Sequence, residues 1–576
     1  MARLNDEVGA LLREYADLIL LTGGNAFRAR SYEKAARSVG GYPEDLARLD
    51  EDGIRQIPGV GDSTAAKIAE YLTTHRILAL DALRAKVPAG LREITAIPTV
   101  GPKTAVQLYR QLGISSVDEL RAAIDADKVK GLPGLGKRAV ENIRHGIEQV
   151  SRAGERTLLS TALDLAEELV AAIGAVPGCS RCAYAGSVRR MRETVGDIDV
   201  LATAKDSGPL MAALLDRPEV ADVIGSGPTK TSVRTDQGLQ VDLRVVPPAD
   251  WGAALIYFTG SRAHNIKLRG RAVKAGLKLS EYGLFEVESG KKLASRTEKE
   301  VYAALGLPLI PPTLREDRGE IEAALAGELP EVVRLKDLRG DLHTHTNLTD
   351  GLASLEAMLE AAAGLGYQYY AVTDHAPNLA MQRMTDDKML AQRERARALD
   401  RSYGGMRVLH GTELNIDADG GVDWPAEFLA EFDLCVASIH SSFTLDRAAQ
   451  TRRLIRACEN PYVNVIGHLT TRLLDRRQPI DVDLDAVFAA AGRTGTALEV
   501  NASPNRLDLN DEQILAARRH GVRFAIDSDA HSVPQLANQR FGVATAQRGW
   551  LGPEDVINTW SLTRLRRFLR KPALRG

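Results

Sequence analysis

Cysteine is scarce: the four present, Cys179, Cys182, Cys435 and Cys458, are too few and too scattered for a disulfide framework. A reducing cytoplasm fits that usage. "CSRC" over 179–182 is a lone CxxC, and two small residues ahead of a strand account for it more simply than zinc or redox chemistry. No apolar run is long enough to span a membrane. The opening "MARLNDEVGALLREYADLILL" is acidic and reads as an amphipathic helix, unlike a secretory signal. Surplus charge is missing as well. Lys plus Arg number 74 against 76 Asp plus Glu, and residues 1–150 carry about one net positive charge. Nothing in the overall balance advertises a nucleic-acid partner, so DNA binding would have to use local geometry. Histidines number only 11, which makes their placement informative.

The 576 residues have room for three to five domains, with an ordinary 44% apolar and 26% charged content. Three segments repeat one pattern: "IRQIPGVGDSTAAKIAEYL" (54–72), "ITAIPTVGPKTAVQLYRQLG" (94–113) and "VKGLPGLGKRAVENIRHGI" (129–147). Each runs from an apolar residue through a short hairpin into a helix. The hairpins present Gly59 and Gly61, Gly101, and Gly134 and Gly136; Thr99 replaces the first glycine of the middle copy. Glycines allow the tight turn, and the free amides opening each helix can hold a phosphate without a basic side chain. Packing corners between helices are the plainer reading of one copy, but three copies resemble helix-hairpin-helix motifs, which grip DNA backbones without reading sequence.

After a helical stretch over 151–175 the pattern turns to strands, "CAYAGSVRR", "DIDVLATA" and "LQVDLRVVP". Pro308, Pro311 and Pro312 and the charged residues up to about Arg339 mark the main boundary. Beyond it "YYAVTDH", "DLCVASIH", "VNVIGH", "TALEVN" and "RFAIDSDAH" alternate with helical segments, which predicts a parallel β/α barrel with active groups at strand ends.

In "YAGSVRRMRETVGDIDVL", Asp197 and Asp199 lie two apart on a strand, and "QVDLRVV" offers Asp242 from a neighbour. Three carboxylates together repel unless cations lie between them, and two Mg²⁺ ions would also clamp a transferring phosphoryl group. Gly186, Ser187 and Arg190 can meet a triphosphate. A lone "DID" is usually a solvated acidic face, but here "GSVRR" precedes it. GS-x₉-D-x-D is the nucleotidyltransferase signature, and "YFTGSRAHNIKLR" (257–269) resembles the sugar- and base-sensing segment of family X DNA polymerases, over about residues 10–310 in all. The resemblance implies two Mg²⁺ or Mn²⁺ ions held by Asp197 and Asp199, with Asp242 on the catalytic one. It also implies that Ser187, Arg190 and Arg156 hold the triphosphate and that Tyr257 and Phe258, at the turn of Gly260, crowd the sugar 2′ position. Asn265 would meet the base and Arg269 the template strand. Gln240 departs from an arginine in polymerase beta, leaving the tuning of Asp242 open. The resemblance places Lys67 at the family's Schiff-base lysine for removing 5′-deoxyribose phosphate, with Arg28, Tyr32 and Lys34 as candidate 5′-phosphate contacts; Ser63 replaces an expected phosphate-binding lysine, and a surface lysine is the simpler reading.

"DLHTHTNLTDG" sends His343 and His345 to one side of a strand, with Asp350 beyond. One His-x-His pair is more often structural. Yet His375, Glu413, His440, His468, Asp529 and His531 recur at successive strand ends. Nine such donors suggest two or three ions, Zn²⁺ or Mn²⁺. Residues 335–560 resemble the polymerase and histidinol phosphatase (PHP) domain, whose usual ligand positions these nine fill; the family hydrolyses phosphate esters. His410, His520 and Asp527 read as structural, and Asp374 as a carboxylate orienting an imidazole.

The expected layout is multidomain α/β: a helical lyase-like domain (1–80), a second hairpin subdomain (81–150), a nucleotidyltransferase palm (151–250), a small α+β thumb (251–315), a linker (316–334) and a distorted seven-stranded PHP barrel (335–576). The expected function is a cytoplasmic, monomeric DNA polymerase that uses dNTPs to fill gapped or primed DNA. A 3′→5′ exonuclease would accompany it, with abasic-site endonuclease or 3′-phosphatase activity open. Its rivals are a phosphatase fused to a nucleotidyltransferase that modifies something other than DNA, and a non-enzymatic DNA-end scaffold.

Overall fold

The computed structural model describes residues 2–571 apart from 41, 43, 45, 96, 98, 99, 130, 131, 133, 134, 137, 138, 142, 145, 146, 148–155, 380–383 and 475. Up to residue 147 the described elements are helical, and apolar spacing explains why. In Ala2–Leu21, Val8, Leu12, Tyr15 and Ile19 recur at three- and four-residue steps and join one buried cluster with Ala29, Tyr32, Ala36 and Val39 of Ala26–Gly40. Leu91, Leu108, Leu120 and Ile143 extend that cluster through the second and third repeats. No described helix is long and apolar enough to cross a membrane.

A five-stranded mixed sheet follows, in spatial order Arg181–Tyr184, Asp197–Thr203, Gln240–Val246, Lys230–Thr235 and Val220–Ser226. Only Asp197–Thr203 and Gln240–Val246 run parallel. Strand alternation divides their faces. Ile198, Val200, Val241 and Leu243 pack on the helix Leu159–Gly174, whereas Leu201 packs on Ala254 and Leu255 of Trp251–Thr259. Asp197 and Asp199 share the face of Leu201. Helix Arg262–Lys274, a three-stranded antiparallel sheet over 277–294 and helix Glu298–Ala304 complete the next unit.

The charged stretch 316–334, expected as a linker, is built into its neighbours. It contains helix Glu320–Ala326, whose Ile321 and Ala324 enter the buried cluster of the preceding unit. Glu320, 1% exposed, accepts from or shares a proton with His264 at 2.6 Å.

Seven parallel strands then run in sequential order: Gly340–Asp341, Tyr369–Val372, Arg407–Asn415, Leu434–Ser438, Val465–Ile466, Ala497–Asn501 and Phe524–Asp527. A parallel bridge from Thr344 to Ala530 joins the first to the last. One apolar cluster takes Leu342, Tyr369, Leu409, Val436, Val465, Ala497 and Ala525 from successive strands, and Leu565 and Leu569 of the last helix, Leu562–Leu569, seal it. That leaves the strands' carboxyl ends for polar groups.

The barrel and the sheet domain share core. Leu507 and Phe541 sit in the palm's apolar cluster. Arg472 Nη2 reaches Glu193 Oε2 at 2.7 Å, and Arg540 Nη2 reaches Asp164 Oδ1 at 2.6 Å.

Candidate active sites

On the parallel pair, Asp199 and Asp242 are register partners, and Asp197 lies opposite Gln240. The three carboxylates therefore crowd one strand end, and their proton affinities separate. Burial, then the charges of Asp197 and Asp242, push Asp199 up to about 7. Burial and Asp242 also raise Asp197. Burial works against Asp242 too, but donors outweigh it and hold it below the usual carboxylate range. Lys230 Nζ stands 2.6 Å from its Oδ2, and Gln240 Nε2 donates to Oδ1 at 3.0 Å. Gln240 therefore still positions Asp242 as a neutral donor, and Lys230, which sequence reasoning did not single out, supplies the charge. Gly186 is obligatory: at φ +59° its position would place a Cβ 2.5 Å from Asp199 Oδ2.

A cleft of about 1540 Å³ opens beside these groups, lined by Arg156, Ser187, Arg190, Tyr257, Asn265 and Arg269 among others. Arg156 is braced on Thr194, donating to its Oγ1 at 3.0 Å and its carbonyl at 2.5 Å. Arg190 donates to the Thr259 carbonyl at 2.5 Å and to Glu316 at 3.0 Å. Gly260 lets that guanidinium pass, since a Cβ there would lie 3.1 Å from Arg190 Nη1. Asn265 Nδ2 donates to the Tyr257 carbonyl at 2.8 Å, leaving Oδ1 buried with no hydrogen-bond partner among the described residues. Phe258 packs edge-on against Tyr257 and under Arg244. Arg269 donates to the Asn265 carbonyl on its own helix at 3.2 Å.

At the first and second hairpins, Gly61 and Gly101 cap helices Asp62–Thr74 and Pro102–Leu112 without any side-chain capping bond. A Cβ at either glycine, or at Gly136, would meet open space. Gly59 turns the chain at φ +84°. Gly134 and Thr99 lie outside the described residues. Lys67 Nζ donates to the Ser63 carbonyl and hydroxyl, both at 2.9 Å, and stands over the rings of Tyr15 and Tyr32.

The barrel's nine expected donors converge. Three overlapping groups of ligand atoms form: His345, Asp350, His375 and His531; His343, His345 and Asp529; and His375, Glu413 and His440. His468 Nε2 joins through Glu413 Oε1 at 3.0 Å. The strand Gly340–Asp341 ends before His343, yet alternation persists. Thr344 turns away to the Ala371 carbonyl, while His343 and His345 bring their Nε2 atoms to 3.2 Å. The donors fit divalent cations by chemistry and by aim. His375 Nδ1 lies 2.9 Å from Glu413 Oε2 without hydrogen-bond alignment, and His345 Nδ1 and Asp350 Oδ1, 3.8 Å apart, are buried with no hydrogen-bond partner among the described residues. Burial opposes ionisation of Asp350, but His531 and His375 beside it hold it well below the usual range.

The supporting shell was partly missed. Glu499 Oε1 lies 2.6 Å from His343 Nδ1, and its Oε2 accepts the His468 amide at 2.6 Å. Asn415 Oδ1 meets His440 Nδ1 at 2.8 Å. Asp374, expected to orient an imidazole, is spent otherwise. It accepts from Thr346, Thr349 and Gln392, so it pins the loop that carries Asp350. His410 stacks on Phe432, His520 meets Asp485, and Asp527 accepts from Leu342 and Asn558.

Four family models match: "Helix-hairpin-helix domain" over residues 3–77, "SAM-like Helix-hairpin-helix tandem" over 91–149, "DNA polymerase beta thumb" over 254–316 and "PHP domain" over 341–503. A DNA polymerase/3′-5′ exonuclease PolX of Bacillus subtilis is 36% identical over 564 residues, 97% of this chain and 98% of that protein. Rat DNA polymerase lambda is 29% identical over 51% of this chain and 53% of its own length. A probable phosphatase of Caldanaerobacter subterraneus is 28% identical over 40% of this chain and 91% of its own.

Proposed function

The chain belongs to the bacterial family X DNA polymerases that carry a C-terminal PHP domain, and on that premise we propose how its two sites divide the work. It is a DNA polymerase with a 3′→5′ exonuclease. Asp197, Asp199 and Asp242 hold two Mg²⁺ or Mn²⁺ ions. The chemistry such a pair supplies is neutralisation of triphosphate charge and in-line alignment of the attacking and leaving oxygens. Asp242, kept ionised by Lys230 and Gln240, accepts the proton of the primer 3′-hydroxyl. Ser187, Arg190 and Arg156 orient the triphosphate so that pyrophosphate leaves opposite the attack. Tyr257 and Phe258 exclude a 2′-hydroxyl, Asn265 meets the base edge, and Arg269 faces the template. The hairpin amides at Gly59, Gly61, Gly101, Gly134 and Gly136 hold DNA phosphates, and the monomeric protein fills short gaps in the cytoplasm.

The nine barrel residues hold two or three ions of Zn²⁺, Mn²⁺ or both, which supply Lewis acidity toward a scissile phosphate. His345 is shared by two of the three donor groups and His375 by another two, and Glu499 fixes the orientation of the His343 ring. Likeness to probable phosphatases supports 3′-phosphate removal, or abasic-site cleavage, as a further use of the same centre.

The observation that carries this reading is the pairing of Asp199 with Asp242 on adjacent parallel strands, in one chain with three converging donor groups. The test uses 5′-phosphorylated gapped DNA. His343→Ala with His345→Ala should abolish nucleolysis and leave extension. Asp197→Ala with Asp199→Ala should do the reverse, and any nucleotide incorporation that survives it refutes the palm assignment.

A further inference from the structure

One permanent cation stands among donors that themselves would gather cations. Arg506 follows the strand Ala497–Asn501, and its Nε lies 3.7 Å from Asp529 Oδ2. That same oxygen accepts Asn501 Nδ2 at 3.1 Å. The arginine side chain is only 20% exposed, and its Nη1 is buried without a hydrogen-bond partner among the described residues.

An arginine cannot shed its charge to escape such a place. Its carboxylate neighbours are Asp529 and Asp508, and a second cation lies close by. Arg477 is pushed down to about 10, by burial first and then by the charge of Arg506. The loop that carries Arg506 is also held firmly. Asn501 N donates to the Asp508 carbonyl at 2.7 Å and Arg506 N to the Ser503 carbonyl at 2.8 Å. Leu507 is anchored in the palm's apolar cluster. Once cations occupy the donor cluster and neutralise its carboxylates, a rigid guanidinium with a buried, unpartnered Nη1 beside them is an electrostatic liability unless an anion arrives. A phosphate oxygen matches it in charge and in the fork geometry of its donors.

We propose that Arg506 is the phosphate-binding residue of the barrel site, taking a non-bridging oxygen of the 3′-terminal phosphodiester on the Asp529 side of the cluster. This rests on the cluster being the hydrolytic centre. Charge builds on that oxygen as water attacks phosphorus, and the displaced 3′-hydroxyl of the shortened strand leaves with a proton. A fixed guanidinium is thus worth more in the transition state than in the ground state.

The experiment compares full-length Arg506→Gln and Arg506→Lys with the parent, all loaded with Mn²⁺, on 5′-labelled single-stranded DNA. Inorganic phosphate is the binding probe, followed by calorimetry. Arg506→Gln is expected to lose about 10²–10³-fold in exonuclease kcat and about tenfold in phosphate affinity, with bound manganese unchanged. Arg506→Lys should recover part of both, since it keeps the charge and loses the fork. The proposal is overturned by a glutamine variant within about threefold of the parent in kcat. A loss that tracks missing manganese overturns it equally, because the arginine would then only brace Asp529. His343→Ala with His345→Ala runs alongside: nucleolysis that survives there defeats the cluster reading itself, whereas its loss beside an unaffected Arg506→Gln defeats the Arg506 proposal alone.

Discussion

Replacing Gly186 by alanine asks whether the palm aspartates work by position, and two penalties must be weighed. The first is conformational. At φ +59° an alanine costs about 1–2 kcal/mol, which a palm-sized unit would register as a fall in Tm of about 4–16 °C. The second is steric and local. The new Cβ would stand 2.5 Å from Asp199 Oδ2, short of ordinary contact by about 1 Å. The carboxylate is the movable partner, because the turn is tied by the Ala185 amide donating to the Asp199 carbonyl at 2.7 Å. A displacement of about 1 Å in a catalytic group costs about 10²-fold, or about 2.7 kcal/mol of activation. Catalysis should therefore suffer far more than folding. Single-nucleotide insertion into a one-nucleotide gap is expected to slow about 10²-fold, with exonuclease activity as the internal control for folding. Insertion within about threefold of the parent would refute the argument from Asp199 geometry. An equal loss of both activities would show a global defect and refute it too.

Glu499→Gln keeps the shape beside His343 but removes the charge, so the barrel's affinity for Zn²⁺ or Mn²⁺ should fall about 10–100-fold in equilibrium metal titrations; unchanged affinity would mean that Glu499 does not support the site. His410 is 3% exposed with neither ring nitrogen hydrogen-bonded among the described residues, and burial pushes it down to about 3. Because its folded pKa lies below its unfolded one, stability is lost as pH falls from about 6.5 toward 3, by at most about 2 kcal/mol at pH 5. His410→Phe, able to stack on Phe432, should remove that term, so denaturation midpoints at pH 5 and 7.5 should lie closer together than in the parent. Lys67 Nζ is engaged by the Ser63 carbonyl and hydroxyl and stands over two aromatic rings, so it is not presented to a sugar aldehyde. Borohydride should accordingly trap no adduct with 5′-deoxyribose phosphate DNA, and a trapped adduct lost in Lys67→Ala would reverse that assignment.

What could be read ahead of the structure follows from how locally each feature is encoded. Asp197, Asp199 and the nine barrel donors were legible because their chemistry demands residue types at fixed spacing or at successive strand ends. Glu499 sits inside the apolar run "TALEVN" and has no spacing of its own; only its contact with His343, 156 positions away, reveals it. Strand Val220–Ser226 lies at a sheet edge with almost every residue exposed, so the alternation that marks half-buried strands is absent. The charged stretch 316–334 looked like a solvated linker because composition hides partners. Glu316 pairs with Arg190 and Arg548, and Arg318 with Asp511 and Glu512, all distant in sequence. Asp374 is the opposite case. Its neighbour His375 drew attention, whereas its own hydrogen bonds run to Thr346, Thr349 and Gln392.

Those distant pairs bear on how the two activities share one chain. Arg548 of the barrel donates to the Arg190 carbonyl at 2.8 Å and to Glu316 at 2.9 Å, and also pairs with Asp511. Glu316 in turn holds Arg190, the expected triphosphate ligand, while Glu193 at the far end of the same turn is held by Arg472. Arg548 is 4% exposed, so these charges have little water to fall back on. Removing one partner from such a buried set costs about 3–5 kcal/mol, more than the network contributes when intact, because the remaining charges stay buried and unpaired. The barrel is thus part of the mould that shapes the nucleotide grip. Cutting the chain before residue 335 would leave Glu316 with Arg190 alone, take Arg472 from Glu193 and bare the palm's apolar face where Leu507 and Phe541 now sit. A polymerase without the nuclease is therefore better made by changing His343 and His345 than by deleting the domain that carries them.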